Sequence, residues 1–212
     1  TKTYVDDVFS TYLYEETGTT VTVNNGVDMT EGGMVWFKNR GATDAHTLVD
    51  TVRGGTKVLH SSTNSAESTQ SGAITSFNNN GFAIGNYGTI NGGSTHPFAS
   101  WTFRKAPGFF DIVTYSGSSS AQTISHSLGC QPGMIMVKKT SGTDAWAVYH
   151  RYTTHNQWLR LNTNNASENN DHWNNTAPTA SVFSVGANGV VNESGATYVA
   201  YLFAGGESTA AT

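Results

Sequence analysis

Gly33-Met34-Val35-Trp36-Phe37-Lys38 returns as Gly133-Met134-Ile135-Met136-Val137-Lys138, displaced by 100 residues. The match continues at the same offset. Thr43-Asp44-Ala45 returns as Thr143-Asp144-Ala145, Leu59 as Leu159, and Thr63-Asn64-Ser65-Ala66 as Thr163-Asn164-Asn165-Ala166. Phe82-Ala83-Ile84-Gly85 answers Phe183-Ser184-Val185-Gly186 after a slip of one, and Phe98 to Phe103 answers Tyr198 to Phe203. Self-similarity at a fixed period marks a repeated structural unit. What recurs is strand pattern and turn chemistry. Acids, bases and metal ligands mostly do not recur, which points to a duplicated scaffold rather than a duplicated active site.

Each copy reads as a series of short strands. In the second, Phe109 to Tyr115, Gln122 to His126, Met134 to Lys138, Trp146 to His150, Trp158 to Asn162, Val182 to Gly186 and Tyr198 to Phe203 are rich in β-formers. Gln131-Pro132-Gly133 and Ser141-Gly142-Thr143-Asp144 supply turns between them. In Trp158-Leu159-Arg160-Leu161 the two leucines share one face and Trp158 and Arg160 the other. The first copy follows the same plan. About seven short strands per copy read as an antiparallel sandwich. The expected architecture is all-β: two tandem, internally duplicated antiparallel β-sandwich units, residues 1–106 and 107–212, joined at Lys105-Ala106-Pro107-Gly108. No sustained helical period occurs. Short helical turns are expected near Ala66-Glu67-Ser68 and Asn164 to Glu168.

Of the 212 residues only 12% are charged, about half the usual share, yet 11% are aromatic. Ser, Thr, Asn and Gly fill the difference, so the expected surface is one of hydroxyls and amides. The net charge of −4 and the absence of a basic run argue against nucleic-acid binding. No apolar run is long enough for a membrane span. The chain begins at Thr1 with no signal-peptide pattern and reads as processed or as part of a longer protein. The single Cys130 has no disulfide partner in the chain and reads as an inert, half-buried thiol.

Candidate chemistry is sparse. Asp44 and Asp144 occupy equivalent turns and read as turn caps. Asp50 and Arg53 read as a local ion pair. His150, His155 and His172 lie in one half of the second copy, but the spacing of the first two is not that of zinc ligands, so no metal is expected. No nucleophile-elbow motif is present. No cofactor and no catalytic residue are expected. Trp36, Trp101 and Trp146 lie in strands and read as core. Trp158 beside Arg160, and Trp173 within Asn169-Asn170-Asp171-His172-Trp173-Asn174-Asn175, offer a different pattern. An aromatic ring flanked by amides suits sugar stacking, so Trp158, Trp173, His172, Asn174 and Asn175 form the candidate ligand-binding set. The alternative is that Trp173 plugs the sandwich end or packs on a neighbouring subunit.

Several stretches also carry a family resemblance: Tyr4 to Tyr12, Asp50-Thr51-Val52-Arg53-Gly54, Ala99 to Asp111, and Ile124-Ser125-His126-Ser127-Leu128-Gly129 with Pro132-Gly133-Met134-Ile135. Together they resemble a repeated β-module of tail-fibre and other surface proteins of marine tailed bacteriophages, notably those infecting cyanobacteria. A looser fold-level similarity is to jelly-roll, lectin-like sandwiches. The resemblance implies a virion structural protein, a tail-fibre or capsid-surface fibre module used in host attachment, located on the virion surface and outside the cell. It supplies no catalytic residues. The expected partners are further copies of the chain or other virion proteins, and a host surface glycan if the module itself recognises the receptor. A carbohydrate-binding module is the alternative. A polysaccharide-trimming hydrolase ranks last, because no repeated acid pair is present.

Overall fold

The computed structural model describes residues 3–206. They divide into two compact units, one formed by the chain up to Ser61 and again by Glu67–Lys105, the other by Ser62–Ala66 and the chain from Ala106 onward. The division falls one residue before the boundary expected from the Pro-Gly joint, and it assigns Ser62–Ala66 to the second unit.

The first unit holds β1 (Phe9–Glu15), β2 (Val21–Asn24), β3 (Gly33–Asn39), β4 (Thr47–Asp50), β5 (Lys57–His60), β6 (Ser68–Thr69), β7 (Ile74–Asn78), β8 (Gly81–Ile84) and β9 (Pro97–Arg104). These build a six-stranded sheet in the order β1-β9-β3-β4-β5-β6 and a three-stranded sheet β2-β8-β7, every pairing antiparallel. Strand alternation sends Val35, Phe37, Val49 and Val58 inward from the large sheet to meet Val23, Phe82 and Ile84 from the small one. Phe37 and Phe82 meet edge to face, with centroids 5.6 Å apart. The β7–β8 turn depends on Gly81. Its φ is +130°, and a Cβ there would collide with the carbonyl of Val23.

The second unit holds β10 (Phe110–Ser116), β11 (Gln122–Ser125), β12 (Pro132–Lys139), β13 (Ala147–His150), β14 (Gln157–Arg160), β15 (Glu168–Asn169), β16 (Val182–Val185) and β17 (Thr197–Ala204). Its large sheet runs β10-β17-β12-β13-β14-β15, the same path as in the first unit. Register recurs too. Trp36 faces Trp101 as Met136 faces Tyr201, and Met34 faces Phe103 as Met134 faces Phe203. The small sheet differs, because it has only β11 and β16. Where β7 lies in the first unit, the second has Asn174 and Asn175 at φ of 50° and 44°, followed by Pro178. Left-handed residues and a proline without an N–H do not extend a ladder.

The helical content falls elsewhere than expected. Residues 66–68 and 164–168 form no helical turn; β6 and β15 begin there instead. Among the described residues one 3-10 turn, at Met29–Glu31, and three four-residue α-helices occur: α1 (Val5–Val8), α2 (Gly88–Asn91) and α3 (Gly189–Asn192). The last two end on fully buried asparagines with matching tasks. Asn91 donates to Thr19 O and Gly85 O and accepts from Thr17 N and Gly18 N. Asn192 donates to Ser120 O and Gly186 O and accepts from Ser118 N and Gln122 Nε2. Each carboxamide ties its own helix to a neighbouring loop and to the glycine that follows a small-sheet strand. A tyrosine in each unit adds a further tie, Tyr14 to Ile90 O and Tyr115 to Val191 O, both at 2.8 Å.

Lys38 and Lys138 recur in the same way. Lys38 Nζ donates to the carbonyls of Asn39, Ala42 and Asp44, at 2.7, 3.1 and 3.0 Å. Lys138, fully buried, donates to Lys139 O and Gly142 O, and burial pushes its ammonium pKa down to about 8. Asp44 and Asp144 close the same turns. Asp44 accepts from Asn39 Nδ2 at 2.7 Å and Asp144 from Lys139 Nζ at 2.8 Å.

Candidate functional site

The five residues singled out as a sugar platform do not form one. Trp158 and Trp173 are 3% and 1% exposed and belong to the second unit's core, and His172 is fully buried beside them. The rings have turned inward because a sandwich with a two-stranded small sheet leaves space that side chains must fill. Trp173 stands where the first unit has Ala73 and meets Tyr149 edge to face at 5.8 Å. The His172 ring lies on Trp158 with centroids 3.9 Å apart. On Trp158 also rests the Arg160 guanidinium, 4.1 Å from the ring centroid, and Glu168 grips Arg160 through two 2.8 Å contacts. Burial, with a smaller contribution from Arg160, pushes the His172 pKa down to about 4. Asn174 and Asn175 stay exposed, but without a ring to flank.

The other sequence candidates are structural. Arg53 Nε meets Asp50 Oδ2 at 2.6 Å and its Nη1 meets Glu67 at 3.0 Å; Asp50 Oδ1 also accepts from Val52 N and Arg53 N. Cys130 is half-buried, and burial pushes its thiol pKa up, away from a reactive thiolate. His150 lies beside Tyr152 and His155 beside Tyr149. Among the described residues, no group of three or more His, Cys, Asp or Glu converges on a point where a metal would sit.

The open aromatic face lies in the first unit, on tryptophans expected in the core. Trp146 is fully buried, though it stands just ahead of β13 rather than within it, but Trp36 and Trp101 are only half-buried. They are cross-strand partners on β3 and β9, and alternation points both away from Val35 and Phe37, to the outer face of the large sheet. With Phe103 and His46 they line a cavity of about 290 Å³. His46, just ahead of β4, accepts a 3.1 Å hydrogen bond from Trp36 Nε1 on its Nδ1, and the two rings meet edge to face at 6.1 Å. Burial, aided by the Lys38 charge, holds the His46 pKa below its usual value. The imidazole is therefore neutral at pH 7. With Nδ1 accepting, its proton sits on Nε2.

In the second unit the equivalent positions are buried. Met136, Trp146 and Tyr201 stand at the positions of Trp36, His46 and Trp101, and all three are buried. The indole of Trp146 stacks on Tyr201 at 6.2 Å. The signal that distinguishes the two faces was in the sequence, as the exchange of His46 for Trp146 at one repeat position. Strand alternation alone does not reveal it, since both faces of these strands are apolar.

Residues 5–209 match a family described as a domain of unknown function, DUF7483. The chain belongs to this family. No curated protein and no solved structure matches it. Membership in DUF7483 thus covers both units without assigning a chemistry to either.

Proposed function

We propose that this DUF7483 chain is a non-catalytic attachment module of a virion surface fibre, with the outer face of its first unit as the contact surface. The observation that carries the reading is the half-exposed pair Trp36 and Trp101 on a rigid sheet, at positions that are buried in the second unit. Aromatic side chains left open on a sheet bring large contact area at little cost in conformational entropy. The low charge and the abundance of Ser, Thr, Asn and Gly suit a surface displayed outside a cell. The resemblance to phage tail-fibre modules supplies the setting.

Self-association belongs to the same reading. Among the described residues β1 pairs only with β9 and ends the large sheet, and Leu13 on it is 60% exposed. An unblunted edge strand with an apolar residue is a template for pairing with another copy. The test is gold-labelled antibody against this chain on purified marine phage particles, together with binding of a trimerised form to cyanobacterial cells. Label on fibres and saturable cell binding support attachment. Particles without label, or a trimer that binds no cells, overturn it.

A further inference from the structure

We propose that two copies of the chain pair antiparallel through β1, about a two-fold axis at Leu13, joining their six-stranded sheets into one continuous sheet. The inference deepens the self-association named above and rests on that reading.

The ladder fixes which backbone groups are open. Glu16 N donates to His96 O at 3.1 Å, in register with Glu15 opposite Pro97. An antiparallel ladder bonds every second residue to a given neighbour. Ser10, Tyr12 and Tyr14 therefore turn their backbone groups to β9, and Phe9, Thr11, Leu13 and Glu15 turn theirs outward. The Phe9 N–H is taken by Val5 O. The N–H and C=O of Thr11, Leu13 and Glu15 have no partner among the described residues, and all three residues are exposed.

The partner follows from which other edges could pair. At the far ends of the large sheets, β6 and β15 have two residues each, too short for a template. Strands at the edges of the small sheets run to four or five residues, and β7 is interrupted by a register shift. β10 is as long as β1 but blunted. Gly117 N donates to Ala196 O, so the same alternation turns the Ile112 N–H outward. Asp111 Oδ1 accepts from that N–H at 2.9 Å, while its Oδ2 accepts from Ser127 N at 2.7 Å. Ser10 stands at the position of Asp111 in the first unit, so this cap has no counterpart there. The long, uncapped edge that matches β1 is β1 of a second copy.

The register follows from satisfying the open groups. With the axis at Leu13, the two Leu13 residues bond each other, and Thr11 bonds Glu15 of the second copy in both directions. Every open N–H and C=O then has a partner. Leu13, 60% exposed, is covered by its own equivalent. Tyr12 falls opposite the second copy's Tyr14, an aromatic cross-strand pair. Centring on Tyr12 instead sets Glu15 against Phe9, whose N–H is already spent, and centring on Glu15 opposes two carboxylates. Both copies use the same surface, so the contact closes as a dimer.

The test is disulfide trapping on the full chain, with Cys130→Ser removing the native thiol. Directly opposed residues have Cα atoms about 5.5 Å apart in a hydrogen-bonded pair, within disulfide reach. Leu13→Cys alone should cross-link to a covalent dimer, as should a mixture of Thr11→Cys and Glu15→Cys. Thr11→Cys alone and Glu15→Cys alone should cross-link at least tenfold more slowly. Thr11→Pro removes an outward N–H and no bond to β9, and should give a monomer that still melts cooperatively. No cross-link in any variant, or Thr11→Cys alone reacting as fast as the mixture, overturns the inference. Larger species that survive Thr11→Pro overturn it while leaving self-association standing. A monomer whose β1 edge captures extended Thr-Val peptides places a foreign strand there and also overturns it. Cell attachment by a strictly monomeric chain sinks the dimer and keeps the attachment reading. The expected cross-links without any cell attachment do the reverse.

Discussion

The His172 ring lies nearly parallel to the Trp158 indole, at 17° and 3.9 Å, fully buried and with neither ring nitrogen hydrogen-bonded among the described residues. Such a histidine is held neutral, because burial outweighs the pull of the Asp144, Asp171 and Glu168 carboxylates toward the charged form.

Acid should therefore weaken the fold. In the unfolded chain His172 titrates at 6.5 and in the folded chain at about 4. The unfolded state binds the extra proton between these values, so the stabilisation is complete above pH 6.5 and is lost as pH falls toward 4, about 3 kcal/mol in all. His46, His60 and His126 are also pushed down, chiefly by burial, and act in the same direction. Urea melts at pH 7.5 and 4.5 should show the drop, and His172→Phe should remove the largest part of it. An unchanged pH slope in that variant would overturn the account.

Arg160 is the lid on the other half of this stack. Arg160→Ala strips the guanidinium from Trp158 and leaves Glu168 without its partner, and should cost about 1–2 kcal/mol. Trp158 becomes wetter, so its fluorescence should shift to the red. Arg160→Lys should recover less than half the loss, since an ammonium cannot both lie flat on the indole and bind the carboxylate through two nitrogens.

The asparagine ties predict parallel penalties in the two units. Asn91→Ala and Asn192→Ala each strand buried backbone groups on three segments, and each should cost about 2–4 kcal/mol. Calorimetry on both variants checks this. A melting point within a degree of wild type for either one would show that water takes over the role.

The open edge of β1 predicts concentration-dependent assembly. Sedimentation at micromolar concentration should show species larger than a monomer. Leu13→Lys should shift them toward monomer without lowering the melting transition, since Leu13 contributes little to packing. A monomer at all concentrations in the unsubstituted chain would remove this element of the proposal.

Strand positions were legible in the sequence because alternation and turn residues are local properties. Met34 to Lys38 and Tyr198 to Phe203 announce themselves as strands with no knowledge of their neighbours. Which face of each strand is covered was not legible, because it depends on what packs outside the sheet. Trp36 and Trp101 read as core for that reason, while polar neighbours made Trp158 and Trp173 candidates for an open platform, and the burial of Trp173 follows the alternative in which it plugs the sandwich. Polar neighbours in sequence say little when the backbone turns the ring inward. The ties made by Asn91 and Asn192 were hidden too, since an asparagine in a Gly-rich loop has the same appearance whether it is solvated or buried.

Asn91 also precedes Gly92, the pairing in which an asparagine most readily loses ammonia to its neighbour's nitrogen and ages into aspartate or isoaspartate. That reaction needs the Gly92 nitrogen to swing onto the side-chain carbonyl carbon. Here the nitrogen donates to Glu16 at 2.6 Å, and the carboxamide is held from both ends. The folded unit thereby suppresses its own chemical ageing at the residue where a new negative charge would do most harm. A molecule built this way keeps its shelf life only as long as it stays folded, and each excursion to the unfolded state exposes Asn91 to an irreversible loss.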